Sequence, residues 1–473
     1  MTTSLFQDQL ALLHGSLKLT EHGAEIVDRQ RLQDNIYKLV EISALGDPSS
    51  KGAAQYLIRQ AALAFGVIPS SINDLYLARG RGEIPTTFTV PAMNLRMLAF
   101  DSARAVFRIA NEMNAGAFIF EIARSEMGYT DQRPAEYASN ILAAAIAEGY
   151  TGPVFIQGDH FQVSAKRYTS SPETETQAVK DLTKEAIAAG FYNIDIDTST
   201  LVDITKSTIP EQQTLNNHLS AMYSANIRSL QPEGVQISIG GEIGEVGGHN
   251  STEEELRAYM DGYHSELTKL GPKAQGLSKI SIQTGTSHGG VVLPDGTIAK
   301  VNLDFGILLK LSRLARSVYG MGGTVQHGAS TLPDNAFGKF VESEAVEVHL
   351  ATNFQNIIFE HIPETLRSEM YAYLDKNSAS ERKPDMTDEQ FYYKTRKNAI
   401  GPFKSKTWNL PAEVKNAISR ALEEQFRKLF VYLGMQGTRK YTDIFIHPVK
   451  VIPDLKFYLG ETAVEEEVSD LAD

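Results

Sequence analysis

The stretch AEYASNILAAAIAEGYTGPVFIQGDH, residues 135–160, changes its period halfway along. Its first fifteen residues carry apolar side chains at three- and four-residue spacing and close on Gly149, the pattern of a helix with a buried face. GPVFIQGDH (152–160) then runs apolar through Phe155 and Ile156 and turns polar, ending on Asp159 and His160. A helix feeds a strand, and the strand ends on an acid and an imidazole. Adjacent side chains on a regular strand point to opposite faces. A strand's last residue and the first of its loop can still both turn toward a site at the strand's end.

The same alternation recurs outward from this unit. Strands are expected at 86–94, 115–123, 152–160, 193–199, 235–244, 279–287, 323–330 and 345–352. Helical-period segments lie between most of them, such as SARAVFRIANEMN and QAVKDLTKEAIAAG. NSTEEELRAYMDGYHSELTKL opens with a candidate Asn or Ser cap and acids in its first turn, which complement the helix dipole. Eight apolar strands with helical connections imply an α/β chain folded as a (β/α)8 TIM barrel. The competing arrangement is an open doubly wound sheet. Eight strands are many for one, and the chain has no Gly-rich dinucleotide loop.

The chain has 473 residues, 42% hydrophobic and 22% charged, ample for one barrel with extensions at both ends. The expected division is a helical N-terminal extension over 1–80, the catalytic barrel over 81–365 and a helical C-terminal extension over 366–473. A formal charge of −13 with no dense basic cluster argues against nucleic acid as partner. With no cysteine, any metal must be held by His and carboxylate side chains. The start MTTSLFQDQL lacks the basic and apolar regions of a secretory signal, and no apolar run approaches a membrane span. The cytoplasm is the expected compartment.

In a parallel barrel, chemistry sits where strands end. The third expected strand ends at Asp159 and His160, the sixth runs into TGTSHGG with His288, and the seventh contains VQHGAS with His327. Taken singly, each His reads as a core or capping residue. Together, three neutral imidazoles and an open position suit a catalytic divalent cation, above all Zn²⁺. Gly289 and Gly328, directly after two of them, permit close backbone approach.

This set resembles the class II, metal-dependent fructose- and tagatose-bisphosphate aldolases over about residues 86–360. GDH matches the family's strand-three pair, SHGG its strand-six motif and HGAST its strand-seven HGGSG. The resemblance implies His160, His288 and His327 as metal ligands and Asp159 as the residue that handles the C4 hydroxyl proton. GEIG places Glu242, and IDIDTS places Asp197, as carboxylates of an alternative metal position; Glu242 also has a role beside the metal in catalysis. Asn94 in PAMN matches the family's strand-one Asn. An anion site for the substrate phosphate is implied at Gly289, Gly328, Ser330 and Thr352.

There are departures. The family's strand-eight NIDT reads HLAT, so His349 and Ala351 replace Asn and Asp. The loop GEVGGHNSTEEE carries His249 and Asn250 where acids usually stand, leaving Glu245 as the nearest spare carboxylate. FYYKTRKN (391–398) is similar to a segment of the companion subunits of tagatose-bisphosphate aldolase. Three readings follow. The leading one is an aldolase that reversibly cleaves a ketose (bis)phosphate between C3 and C4 through a metal-stabilised enediolate, as a homo-oligomer. The second uses the same site for retro-aldol C4 epimerisation of a ketose or ketouronate. The third is a non-catalytic partner subunit of a true aldolase.

Overall fold

The computed structural model describes residues 2–21, 23–244, 249–271, 274–285, 293, 303–330 and 332–460. Eight parallel strands form the centre: β1 Val90–Asn94, β2 Ile119–Ala123, β3 Gly152–Gln162, β4 Asn193–Asp197, β5 Ser238–Glu242, β6 Lys279–Ile282, β7 Thr324–Gln326 and β8 Glu347–Leu350. Each pairs with the next, β8 pairs with β1 through Glu347 and Val90, and β3 pairs with β4, so the sheet closes on itself. This is the expected TIM barrel, flanked by helical segments before and after it. Every strand lies inside, or within two residues of, its expected span.

Local chemistry explains the connecting helices. Ala99–Met113 and Pro172–Ala189 end at residues in the left-handed region, Asn114 at φ 50° and Gly190 at φ 103°. Glu253–Leu270 is capped by Thr252, whose side chain accepts from the Glu255 backbone while Glu255 reaches back. The cap is therefore the third residue of NST and not the Asn or Ser expected from sequence: the helix begins at Glu253, and the Ser251 hydroxyl accepts instead from the Gln283 backbone N–H at 2.8 Å.

The N-terminal segment is not purely helical. It contains a hairpin of Leu17–Thr20 with Gly23–Ile26, and Val67–Ser70 adds a parallel strand beside the start of β3. The helix Asn73–Gly80 then closes the floor of the barrel. Arg79 donates to the carbonyls of Phe88 (2.6 Å), Glu344 (3.1 Å) and Ala345 (3.0 Å), loop groups left over where strands begin. The C-terminal helices wrap the barrel from top to bottom. Gly401 N–H bonds the carbonyl of Tyr129 beyond the end of β2, whereas Leu433 accepts from Thr89 just before β1.

Two features of the barrel direct the site. β3 runs on to Gln162, and Arg124 bonds the Gln162 carbonyl at 2.6 Å and Glu175 at 2.6 Å, fixing that overhang. The interior is also unusually polar. A TIM barrel is normally filled with branched apolar side chains. Here Glu121, Gln157, Asp195, Lys279 and Glu347, from five different strands, are buried together with His349.

Candidate active site and metal centre

The Asp159–His160 pair sits on a β-bulge. Gly158 pairs with Ile194, but Phe161, three residues on, pairs with Ile196, only two residues on. The extra residue is absorbed by His160, which adopts φ 39°, a region uncommon for a residue with a Cβ. The bulge breaks the alternation of the strand, and both side chains meet the same cluster. The Phe161 ring lies across Gly158, where a Cβ would come within 2.3 Å of it, so the bend requires glycine.

His160 Nδ1 lies 3.1 Å from Asp197 Oδ2 and 3.3 Å from Glu242 Oε2. Its ring centroid is 4.3 Å from that of His327, which is in turn 4.1 Å from His349. All are buried. Asp197 is held by Gln162 Nε2 (2.7 Å), Ser199 Oγ (2.6 Å) and Ser199 N–H (3.0 Å). Glu242 accepts from Gln283 Nε2 at 3.1 Å. Asp159 accepts from Asn94 at 2.9 Å on Oδ2 and faces His349 Nδ1 at 3.1 Å on Oδ1. Asn94 also bonds Glu126, which pairs with Arg96 at 2.5 Å.

The electrostatics follow from this packing. Burial drives Glu242 up to about 7, reinforced by Asp197. Burial also pushes against ionisation of Asp159, but His160, His349 and His327 around it hold it well below the ordinary carboxylate range. Two carboxyl groups in one site thus have opposite tendencies, one toward accepting a proton and one toward remaining an anion.

Ligand atoms of His160, Glu242 and His327 lie within 4.8 Å of one another, as do those of Asp159, His327 and His349. Imidazole and carboxylate donors on fixed strand ends fit a divalent cation such as Zn²⁺, which takes exactly such N and O ligands without thiolate. His288 and Gly289, expected to complete the ligand set and the anion site, lie outside the described residues, as does Glu245. Of the remaining anion-site residues, Gly328 takes φ 70° after β7. The Ser330 hydroxyl accepts from the Ala351 backbone at 2.7 Å, tying the loop after β7 to the start of the helix Thr352–His361. His249 is turned away, paired with Glu255 at 2.6 Å on the surface.

Sequence reasoning treated His349 only as a departure and did not single out Lys279, Glu347, Asp195 or Glu121. The signal was present: Glu347 and His349, and Asp195 and Asp197, are polar residues two apart in otherwise apolar strands, hence on one face. A further group comes from the C-terminal segment. Arg96 and Lys397 stand over the Tyr129 ring at 6.0 and 5.4 Å. Nearby Arg396 is buried against Phe359 and Tyr393 and bonds Asn356. Three cations therefore gather above the ends of β1, β2 and β8.

The model of the class II fructose-bisphosphate aldolase family matches residues 85–429, more than half of the chain. The chain belongs to the class II fructose-bisphosphate aldolase family. Members of this family are carbon–carbon lyases that depend on a metal. Among solved structures, one described as a probable tagatose 6 phosphate kinase from Sinorhizobium meliloti 1021 aligns with TM-score 0.55 at 13% identity, covering 73% of this chain and 100% of that one. It supports the barrel fold. The YdjI aldolase from Escherichia coli K12 aligns at 12% identity and TM-score 0.45, covering 78% and 99% of the two chains. The fructose-bisphosphate aldolase of Campylobacter jejuni aligns at 18% and 0.44, covering 78% and 93%. No curated protein matches the chain. No helix among the described residues is long and apolar enough to cross a membrane.

Proposed function

We propose that this chain is a catalytically active class II aldolase that cleaves a phosphorylated ketose reversibly between C3 and C4. The observation that carries this reading is the bulge at His160, which gathers an ionised Asp159, a protonatable Glu242 and the imidazoles of His160 and His327 at one mouth of the barrel. A subunit with only a structural role has no need of a strained histidine beside an ionised carboxylate.

His160 and His327, with His288 as the third imidazole, would hold the divalent cation, and Glu242 and Asp197 would line an alternative position for it. When bound, that cation polarises the ketose C2 carbonyl and offsets the negative charge that develops as the C3–C4 bond breaks. Asp159 takes the proton of the C4 hydroxyl as the aldehyde forms, and Asn94 keeps its carboxylate aimed. In the synthetic direction the same group returns the proton. Glu242, poised near neutrality, can exchange a proton close to C3. Gly328, Ser330 and Thr352, with Gly289, would receive one phosphate at the loop after β7 and the helix N-terminus after β8. Arg96, Arg396 and Lys397 suit an anionic group at the other end of the sugar.

The C4-epimerase reading uses the same residues and is favoured by one observation, the replacement of the family's strand-eight Asn and Asp by His349 and Ala351. The deciding experiment is a panel of ketose bisphosphates, monophosphates, free ketoses and ketouronates, with and without chelator, assayed by NMR for triose products and for C4 epimers. Chelator-sensitive triose release supports the aldolase. Epimer without free triose supports the second reading, and no turnover with full metal occupancy supports the partner subunit.

A further inference from the structure

We propose that His349 is a positioning residue that fastens the carboxylate of Asp159 to the floor of the barrel; the proposal rests on the reading of Asp159 as the proton-transfer group. His349 stands at the interior of β8, and each ring nitrogen faces a carboxylate. Nδ1 lies 3.1 Å from Asp159 Oδ1, with Glu121 Oε1 also 3.2 Å away, and Nε2 lies 2.6 Å from Glu347 Oε1. Both nitrogens are thus within hydrogen-bond reach of a carboxylate.

The chain of bonds continues downward. Glu347 accepts from the Tyr76 hydroxyl and the Lys279 ammonium, and Lys279 also bonds Gln157 (2.7 Å) and Asp195 (2.9 Å). Tyr76 belongs to the N-terminal floor helix, outside the eight-stranded barrel. A group that must accept a proton in one direction loses efficiency if its carboxylate rotates. Asn94 fixes one oxygen of Asp159 from β1, and His349 fixes the other from β8. The barrel interior thus carries a buried polar column from the floor helix to the site. A buried network of this kind favours one geometry, since each broken link leaves a buried polar group unsatisfied.

The test compares Zn²⁺-loaded wild type, His349→Ala and His349→Asn. The asparagine amide nitrogen stands where Nδ1 stood and keeps the donor to Asp159, while the link to Glu347 is lost. Crystal structures should show the Asp159 carboxylate rotated in His349→Ala and held in His349→Asn. On whichever ketose the panel above identifies, kcat of His349→Ala should fall about 10–100-fold, the usual loss for an orienting partner, with KM little changed and zinc content retained. His349→Asn should recover most of the rate. Because His349 acts through Asp159, adding His349→Ala to Asp159→Asn should cost nothing further. An unrotated Asp159 in His349→Ala overturns the proposal, as does loss of zinc, which would make His349 a ligand, or additive losses in the double variant. If wild type turns over no sugar, the aldolase reading fails, and the orientation of Asp159 in the two variant structures still decides this one.

Discussion

At the scale of single residues, Asp159 carries the most specific expectation. Its carboxylate is buried among imidazoles and held on both oxygens, which keeps it an anion and fixes its direction. Asp159→Asn preserves shape and removes the basic oxygen. Turnover should fall about 10²–10⁴-fold, the usual contribution of a positioned general base. Metal content, read by elemental analysis, should stay near that of wild type, and KM should move little because the loss falls on the transition state. A variant that cleaves at the wild-type rate would remove Asp159 from the mechanism. The pair GDH was legible in the sequence. That its two side chains reach one site through a bulge within β3 was not, because the bulge arises from the register of β3 against β4, which no local pattern encodes.

Among the elements, β5 carries a constraint next to the buried ion cluster. A Cβ at Gly240 would come within 2.3 Å of Asp195 Oδ1 and 2.9 Å of Lys279 Cε, inside the buried ion cluster. Gly240→Ala should therefore cost about 1–3 kcal/mol, as overpacking of a filled core does. Urea titration of the metal-free protein would read that loss; an unchanged midpoint would mean that the cluster is looser than its geometry. The helices and strands themselves were readable from period alone, since helix and strand alternate cleanly along the barrel. The hairpin Leu17–Thr20 with Gly23–Ile26 escaped, because two four-residue strands are too short for their period to stand out.

For the whole molecule, the candidate centre joins strands β3, β5 and β7, so an ion bound there links distant parts of the fold. A ligand that binds only the folded state stabilises it by mass action, about 2.7 kcal/mol at a hundredfold excess over Kd. Zn²⁺ should raise the Tm of the wild type, and chelator should reverse the rise. In His327→Ala, which loses an imidazole of that centre, the rise should be largely lost. An equal rise in both proteins, followed by differential scanning calorimetry, would place the ion elsewhere.

Periodicity and the strand-end motifs were enough to determine the barrel and the family, and the absence of cysteine limits any metal donor to His and carboxylate side chains. Those properties are local: a strand, a helix or a GDH motif is written in neighbouring residues. The tertiary structure alone decided what the barrel encloses. Glu121, Asp195, Lys279 and Glu347 lie far apart in the chain, and each taken alone reads as a surface charge. Only closure of the eight strands brings them into one buried cluster and sets His349 between Asp159 and the floor. A buried charge is tolerable only beside its partners, and those partners are supplied by other strands.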